Sequence, residues 1–183
     1  MTVKEQWAWV GAIVLVLAGG AVSATHALRD ELFPITLGSQ APTFEAVTVD
    51  TSAVKRTLAD YRGKVVLLNI WATWCGPCIV EMPTLEALHR EFKDTDLRVI
   101  AVSIDQPATE DAIREFIKKL GLTFEVLHDA QGNITRDYQA TGYPETFVIG
   151  RDGVIRKKVI GAVDWHSEGN RALVRQLLAE RAG

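Results

Sequence analysis

Cys75 and Cys78 are the only cysteines in the chain, and they lie three positions apart. A pair with this spacing can exchange electrons with a disulfide, ligate a metal ion or attach haem. Haem attachment requires a histidine directly after the second cysteine, where this chain has Ile79. Structural zinc requires four ligands, and there is no second cysteine pair. The histidines are scattered and are interpreted as surface or packing residues: His26, His89, His128 and His166.

The residues around the pair predict where it lies in the fold. Residues 65–72 are almost wholly apolar, as expected of a strand covered on both faces. Helical spacing follows over residues 76–92, so the cysteines open a helix. The free N–H groups and partial positive charge of a helix N-terminus favour a thiolate over a thiol. We therefore expect Cys75 to be the exposed attacking thiolate and Cys78 to resolve the mixed disulfide.

Hydrophobic periodicity predicts the other elements of one domain. A second helix is expected from Thr109, its N-cap, to a stop at Gly121. A final amphipathic helix has its apolar side at Leu173, Val174, Leu177 and Leu178. Further strands are predicted at residues 44–49, 97–104, 124–128, 146–149 and 154–160, the last two joined as a hairpin. This order predicts an α/β sandwich with a mixed central sheet.

The N-terminal segment differs in character from this domain. Residues 7–24 are apolar or small and uncharged, at the short end of the length that spans a membrane as a helix. We predict that residues 1–24 form an uncleaved membrane anchor, with a signal segment cleaved after Ala24 as the alternative. Either places the domain of residues 38–183 on the periplasmic or extracytoplasmic side, after a linker of residues 25–37.

The composition is that of a globular protein without a nucleic-acid partner. Of the 183 residues, 48% are hydrophobic, which is enough to bury a core. The formal net charge is -3 at pH 7, so the chain has no basic excess for following a phosphate backbone.

Several motifs resemble one known family, in the same order along the chain. Trp74-Cys75-Gly76-Pro77-Cys78 after an apolar strand resembles the thioredoxin active site. The stretch from Gly38 to about Ala182 is similar to the membrane-anchored TlpA/ResA/CcmG-type thiol–disulfide oxidoreductases of bacteria. The other matching segments are Gly38-Ser39-Gln40-Ala41-Pro42-Thr43-Phe44, Arg62-Gly63-Lys64, Leu68-Asn69-Ile70-Trp71-Ala72-Thr73-Trp74 and Gly142-Tyr143-Pro144-Glu145-Thr146-Phe147.

This resemblance implies a fold and an activity. The expected fold is a thioredoxin-like three-layer sandwich with a mixed sheet, a helix and strand inserted around residues 109–128, and an N-terminal hydrophobic anchor helix. The expected activity is protein-disulfide reduction through a Cys75–Cys78 disulfide, without a bound cofactor or metal. The expected clients are exported proteins such as apocytochrome c, in cytochrome c maturation. The expected electron donor is a membrane protein of the CcdA/DsbD type.

The resemblance also implies roles for neighbouring residues. Pro144 matches the family's cis-proline, which faces the cysteine pair and helps to hold the substrate backbone. Glu81 lies three residues after Cys78 on the same helical face, and it is expected to accept or supply a proton as Cys78 reacts. The alternative is an acid that only complements the helix N-terminus. Substrate contacts are expected from Trp74, Gly76, Pro77, Tyr143 and Glu145.

Three polar positions depart from thioredoxin or have two interpretations. Asn69 stands where thioredoxins carry a buried aspartate that relays protons to the second cysteine, so proton handling is expected to move to Glu81. Glu145 is interpreted either as part of the substrate groove or as a solvated strand residue. Arg156-Lys157-Lys158 is predicted to be a solvated strand face.

Other functions stay open at this point. The same cysteines could transfer electrons in the opposite direction, in a periplasmic oxidase or isomerase. The dipeptide Gly76-Pro77 instead resembles that of reducing thioredoxins. A peroxiredoxin shares the Ala-Pro-x-Phe start, but its Thr-x-x-Cys site requires a threonine where this chain has Ala72. A non-catalytic redox sensor or metallochaperone-like module would use the pair without turnover.

Overall fold

The computed structural model describes residues 7, 9, 11–20 and 35–180. The chain divides into two compact units, Met1–Ile35 and Thr36–Gly183. In the first unit residues 7, 9 and 11–20 are helical. Among the described residues, no helix combines the length and apolar character needed to cross a membrane. The predicted anchor is only partly described, and the alternative cleavage site after Ala24 and most of the linker lie outside the described residues.

The described part of the second unit contains a mixed sheet, as predicted, and the sheet has seven strands. The strand order is β2-β1-β5-β4-β3-β6-β7, in which β3, β4 and β5 are parallel and the other pairs are antiparallel. The strands are β1 (Glu45–Thr48), β2 (Lys55–Thr57), β3 (Val65–Trp71), β4 (Leu97–Ser103), β5 (Glu125–His128), β6 (Glu145–Ile149) and β7 (Ile155–Ile160).

The helices are α1 (Gly76–Phe92), α2 (Glu110–Leu120), α3 (Asn133–Asp137) and α4 (Glu168–Ala179), with a 3₁₀ helix at Leu58–Tyr61. Helix α2 ends at the predicted Gly121, whose φ of 63° is left-handed and suits a residue without a Cβ. Thr109 occupies the N-cap, but its hydroxyl donates to the Gln106 carbonyl and does not accept from the helix. The predicted N-cap residue is therefore confirmed, although its side chain makes no capping hydrogen bond.

Three short elements escaped sequence-based prediction: β2, the 3₁₀ helix and α3. Each has five residues or fewer, so none is long enough to show a hydrophobic period. Strand β2 lies at an edge of the sheet, where it pairs only with β1 in the part of the chain that is described. These elements lie away from the cysteine pair in the sequence, so their omission left the predicted site unchanged.

Strand β3 is buried along its whole length, between β4 and β6. Alternate residues, including Leu67 and Trp71, join one apolar cluster with side chains of α1, α2 and α4. On the opposite face of the sheet, the Phe147 ring of β6 packs against Tyr138, which follows α3. Helical segments thus cover both faces, as the sandwich prediction requires. The carboxyl end of β3 is consequently fixed where residues 72–75 begin.

Candidate active site

The two cysteines form a disulfide at the start of α1. Their sulfur atoms are 2.07 Å apart and their Cα atoms are 5.2 Å apart. Cys75 is the N-cap of α1, and its Sγ accepts a hydrogen bond from the Cys78 N–H at 3.2 Å. Cys75 is only 5% exposed and Cys78 is fully buried. The prediction of an exposed Cys75 is therefore wrong for the disulfide form, in which Cys75 is nearly covered and is only the less buried of the two cysteines.

Helix geometry gives Cys75 its chemical character. Four N–H groups at a helix start have no partner within the helix, and the helix dipole places partial positive charge there. The 3.2 Å contact from the Cys78 N–H shows one of these donors aimed at Cys75 Sγ. A donor in this position is suited to stabilise a thiolate on Cys75 once the disulfide is reduced.

Antiparallel pairing brings a second motif of the family resemblance, Tyr143-Pro144, to the same edge of the sheet as the cysteine pair. Ile70 near the end of β3 pairs with Glu145 at the start of β6, so residues 143–144 lie beside the turn that leads to Cys75. The Tyr143–Pro144 peptide bond is cis, as the resemblance implied. The exposed Trp74 ring stands edge-on to Tyr143, with centroids 6.1 Å apart.

Glu81 is a buried carboxylate that links α1 to the loop between β7 and α4. Its Oε1 accepts from the Trp165 indole N–H at 2.8 Å and from the Val163 N–H at 3.1 Å. Its Oε2 accepts from the Asn69 amide at 2.9 Å. Burial raises the pKa of Glu81, and the hydrogen bonds from Val163, Trp165 and Asn69 oppose that effect only in part. A buried acid with a raised pKa, one turn after Cys78, is suited to take up a proton.

Asn69 joins the Glu81 carboxylate to β6. Its Nδ2 donates to Glu81 and also to the Thr146 hydroxyl, at 2.8 Å. Its Oδ1 is buried and has no hydrogen-bond partner among the described residues. Every described partner of the Glu81 carboxylate is thus a neutral donor, and no cation lies among these partners.

The interpretation of Glu145 as a solvated strand residue is wrong. The Glu145 side chain is fully buried, because β6 lies between β3 and β7 with both faces covered. Its Oε2 accepts from the Thr141 N–H at 2.8 Å and from the Gly142 N–H at 3.4 Å. Its Oε1 lies 3.0 Å from the Lys158 ammonium. Glu145 therefore holds the chain just before Pro144.

The predicted solvated face at Arg156-Lys157-Lys158 is correspondingly only partly right. Arg156 is exposed and pairs with Asp152, as expected of a surface residue. Lys158 instead forms the ion pair with Glu145, and Lys157 donates to the Asn170 side chain at 2.6 Å. These two lysines tie β7 to its neighbours.

Asp105, which the sequence did not single out, fixes the turn before Cys75. The Thr73 N–H and hydroxyl donate to its carboxylate at 2.9 and 2.6 Å, and the Ser103 hydroxyl donates at 2.6 Å. Its side chain is buried and its carbonyl contacts the His128 ring at 2.9 Å. Because β3 and β4 are parallel, their carboxyl ends meet, which brings residue 105 to residue 73.

The sequence and the fold are similar to those of known thiol–disulfide oxidoreductases. The model of the AhpC/TSA family matches residues 37–158. Thiol-disulfide oxidoreductase ResA of Oceanobacillus iheyensis is 35% identical over 165 residues, which cover 87% of this chain and 84% of that relative. Thioredoxin-like protein YneN of Bacillus subtilis is 37% identical over 160 residues, which cover 85% of this chain and 91% of that relative. The chain belongs to the AhpC/TSA family, among the ResA-like thiol–disulfide oxidoreductases.

A solved structure supports the fold of this ResA-like chain. A thiol:disulfide interchange protein of the thioredoxin family from Chlorobium tepidum TLS superposes with a TM-score of 0.66 at 22% identity, covering 79% of this chain and 99% of that one. The ResA-like chain thus has the thioredoxin fold, and its ResA and YneN relatives together with the Cys75–Cys78 disulfide show that it is a thiol–disulfide oxidoreductase. Cys75 and Cys78 are the only cysteines that it has for this reaction. The roles assigned to Glu81, Pro144 and their neighbours stay predictions.

The raised pKa of Glu81 predicts a pH-dependent stability in this ResA-like enzyme. The folded state binds the Glu81 proton more tightly than the unfolded chain does, so this stabilisation is complete below the unfolded pKa of about 4.5 and is lost as pH rises through the folded pKa. Glu81→Gln cannot titrate. We expect the free energy of unfolding of E81Q, relative to wild type, to rise with pH above about 4.5 and then level off. Urea unfolding of both oxidised proteins from pH 4 to 8 measures this difference; parallel curves would contradict it.

Asp105 predicts a stability effect at the turn before Cys75. Three donors from Thr73 and Ser103 contact the two carboxylate oxygens of Asp105. Asp105→Asn replaces one of these oxygens by an NH₂ group, so at least one of the donors loses its acceptor. We expect D105N to lower the free energy of unfolding by about 1–3 kcal/mol in urea titrations. The matched control is Asp111→Asn, whose carboxylate is exposed and forms a surface ion pair with Arg114. Equal effects of the two substitutions would show that Asp105 does not hold the turn.

Proposed function

We propose that this enzyme reduces disulfides in exported proteins, with apocytochrome c as its client during cytochrome c maturation. The observation that carries the proposal is the asymmetry of the cysteine pair at a helix start. Cys75 keeps an exposed fraction of 5%, whereas Cys78, one turn inside the helix, is fully buried. We therefore expect the client to react with Cys75. Cys78 is then the residue that attacks the Cys75–client disulfide from inside the protein.

The first step forms a mixed disulfide. The thiolate of reduced Cys75 attacks one sulfur of the client disulfide, so that a Cys75–client bond forms and the client S–S bond breaks. The other client sulfur leaves as a thiolate and takes a proton from solvent. The N–H of Cys78, which contacts Cys75 Sγ in the oxidised form, stabilises the attacking thiolate before this step.

The second step releases the client. Cys78 loses its proton and attacks Cys75 Sγ, which closes the Cys75–Cys78 disulfide and expels the second client thiolate. In total, two electrons pass from the dithiol to the client. Glu81 is the group proposed to take the Cys78 proton, because it is buried, lies one turn further along α1 and has a raised pKa caused by desolvation. Asn69 cannot ionise and so cannot substitute for it.

The enzyme is further proposed to be held at the membrane and to receive its electrons from a membrane protein. The uncharged residues 7–24 are proposed to anchor the enzyme in the cell membrane by a single span, with the domain on the extracytoplasmic side. Each reaction with a client leaves Cys75 and Cys78 as a disulfide, so an electron donor must supply two electrons to restore the dithiol. The family resemblance supports a membrane donor of the CcdA/DsbD type, and no bound cofactor is required.

Cys78→Ser should trap the first intermediate. The variant keeps the attacking sulfur but lacks the one that resolves, so the mixed disulfide with a client accumulates. The probe is a synthetic peptide with an internal Cys-x-x-Cys-His disulfide, the haem-attachment sequence of apocytochrome c. We expect a covalent one-to-one adduct of reduced C78S with this peptide on a non-reducing gel and by mass spectrometry.

Cys75→Ser is the matched control for this trap, because it removes the proposed attacking sulfur and keeps only the buried sulfur of Cys78. It should form no adduct, since Cys78 is fully buried. Equal adduct yields from C75S and C78S would overturn the assignment of Cys75 as the attacking residue. A C78S protein that forms no adduct at all would argue for a sensor or metal-binding module.

The reduction potential decides the direction of electron flow. The full chain is equilibrated in thiol–disulfide buffers, and the redox state is read from the fluorescence of Trp74, which directly precedes Cys75. A reductant should have a potential near that of thioredoxin, about -270 mV, or lower. A value near the oxidising end, about -120 mV, would make disulfide formation the function instead.

A further inference from the structure

Lys157 of β7 places a cation close to Glu81 without contacting its carboxyl group. The Lys157 Nζ lies over the ring of Trp165, 5.6 Å from the ring centroid. Trp165 is 1% exposed, and its indole N–H donates to Glu81 Oε1 at 2.8 Å. The buried indole of Trp165 therefore contacts both an ammonium group and a buried carboxyl group.

Helix α4 fixes the position of this ammonium group. The Lys157 Nζ donates to Asn170 Oδ1 at 2.6 Å, and Asn170 Nδ2 donates to the Asp164 carbonyl at 2.8 Å. Asp164 directly precedes Trp165 in the chain, so Asn170 holds both the lysine and the backbone next to the ring. The cation and the indole are thus kept together by one buried amide.

The groups packed directly around Glu81 supply no charge in the oxidised enzyme. Its partners from β3 and from the loop before α4 are neutral N–H groups. Cys78, three residues earlier on α1, is held in the disulfide and does not titrate. The neighbouring lysine on β7, Lys158, forms an ion pair with the buried Glu145.

The charged residues that flank Trp165 in the chain lie at the surface. Asp164 is exposed, and its Oδ1 accepts from the His166 N–H at 2.9 Å. The His166 ring contacts Glu91 on α1 at 2.9 Å. Among the described residues, Lys157 is therefore the charged side chain that contacts a direct partner of Glu81.

A cation in this position favours the charged form of Glu81 by two physical effects. The ring face attracts the cation, and the cation polarises the indole so that its N–H becomes a stronger donor to the carboxylate. The positive charge also attracts the carboxylate directly, and burial of the indole limits screening by solvent. A lysine with a purely structural role would tie β7 to α4 and leave the protonation of Glu81 unchanged.

We propose that Lys157 is a positioning residue of the reaction, whose ammonium over the Trp165 ring stabilises the Glu81 carboxylate and sets the pH at which this acid can take a proton from Cys78. The inference rests on the proposed function, in which the Cys78 proton passes to Glu81. Burial raises the pKa of Glu81, and a carboxyl group that is already protonated cannot accept that proton. Lys157 limits the rise and keeps the accepting form available, while it neither gains nor loses a proton itself.

The test titrates Glu81 in the oxidised full-length enzyme, which contains no free thiol to titrate with it. The infrared C=O band of the protonated carboxyl group is assigned by its absence from E81Q, and its midpoint is measured between pH 4 and pH 9. Lys157→Met keeps a long unbranched side chain and removes the charge. We expect K157M to raise the midpoint by about half a pH unit or more, because the carboxylate loses a nearby cation. K157R, which keeps the charge, should restore the wild-type midpoint.

Arg156→Met is the matched control, because it removes a positive charge from the preceding residue, which is exposed and pairs with Asp152. R156M should leave the midpoint unchanged. The reaction itself is followed as single-turnover reduction of the Cys-x-x-Cys-His disulfide peptide over the same pH range, with E81Q identifying the inflection that belongs to Glu81. In K157M this inflection should move to higher pH by the same amount as the infrared midpoint.

Four results would overturn the inference. An unchanged midpoint in K157M, or an equal shift in R156M, would do so and would leave the proposed function in place. An equal shift in K157M and K157R would show that the contact with Asn170 matters and the charge does not. A shifted midpoint with an unchanged pH–rate profile would separate Lys157 from the reaction. If E81Q and wild type have the same pH–rate profile, the proposed role of Glu81 fails, and this inference fails with it.

Discussion

Burial of β3 on both faces is the constraint from which the geometry of the site follows. Its seven residues are hydrogen-bonded to β4 on one edge and β6 on the other, so the strand has no freedom to shift. The end of β3 fixes the turn at residues 72–75, and the parallel neighbour β4 supplies Asp105 to hold that turn. The antiparallel neighbour β6 begins directly after the cis-proline. The disulfide and Pro144 therefore share one rigid edge of the sheet.

The two buried carboxylates near this edge, Glu81 and Glu145, have different electrostatic surroundings. Glu145 has an ammonium group beside it and accepts two backbone N–H groups, so it serves to hold the chain before Pro144. Glu81 has only neutral donors among the described residues, and desolvation raises its pKa. A nearby cation favours the charged form of a carboxyl group, which suits an acid that forms a permanent ion pair. A buried acid without a cation can be neutral or charged, which suits an acid that exchanges a proton. The same residue type thus has two roles because of its neighbours.

Sequence patterns predicted the parts of the fold in which many residues repeat one signal. The apolar run of β3 and the helical spacing of α1 are long signals, and each matches the structure to within about a residue. The single residues Thr109 and Gly121 also lie at the predicted ends of α2. The burial of Glu145 was not predictable from alternation, because a central strand buries both faces. Asp105 escaped prediction for a different reason: it lies 30 residues from Cys75, and only the parallel pairing of β3 with β4 brings the two regions together.

The unpaired Oδ1 of Asn69 has a consequence for how Glu81 can hold a proton. Two of the three groups around the Glu81 carboxylate, the Val163 N–H and the Trp165 indole N–H, can only donate. A protonated Glu81 needs an acceptor, and Asn69 is the one partner in this described set that carries one. Rotation of its amide by half a turn would exchange Nδ2 for Oδ1 and would let the Thr146 hydroxyl donate where it now accepts. In that orientation Asn69 would accept a hydrogen bond from protonated Glu81, just as it now donates one to the carboxylate, which neither leucine nor a charged aspartate could do.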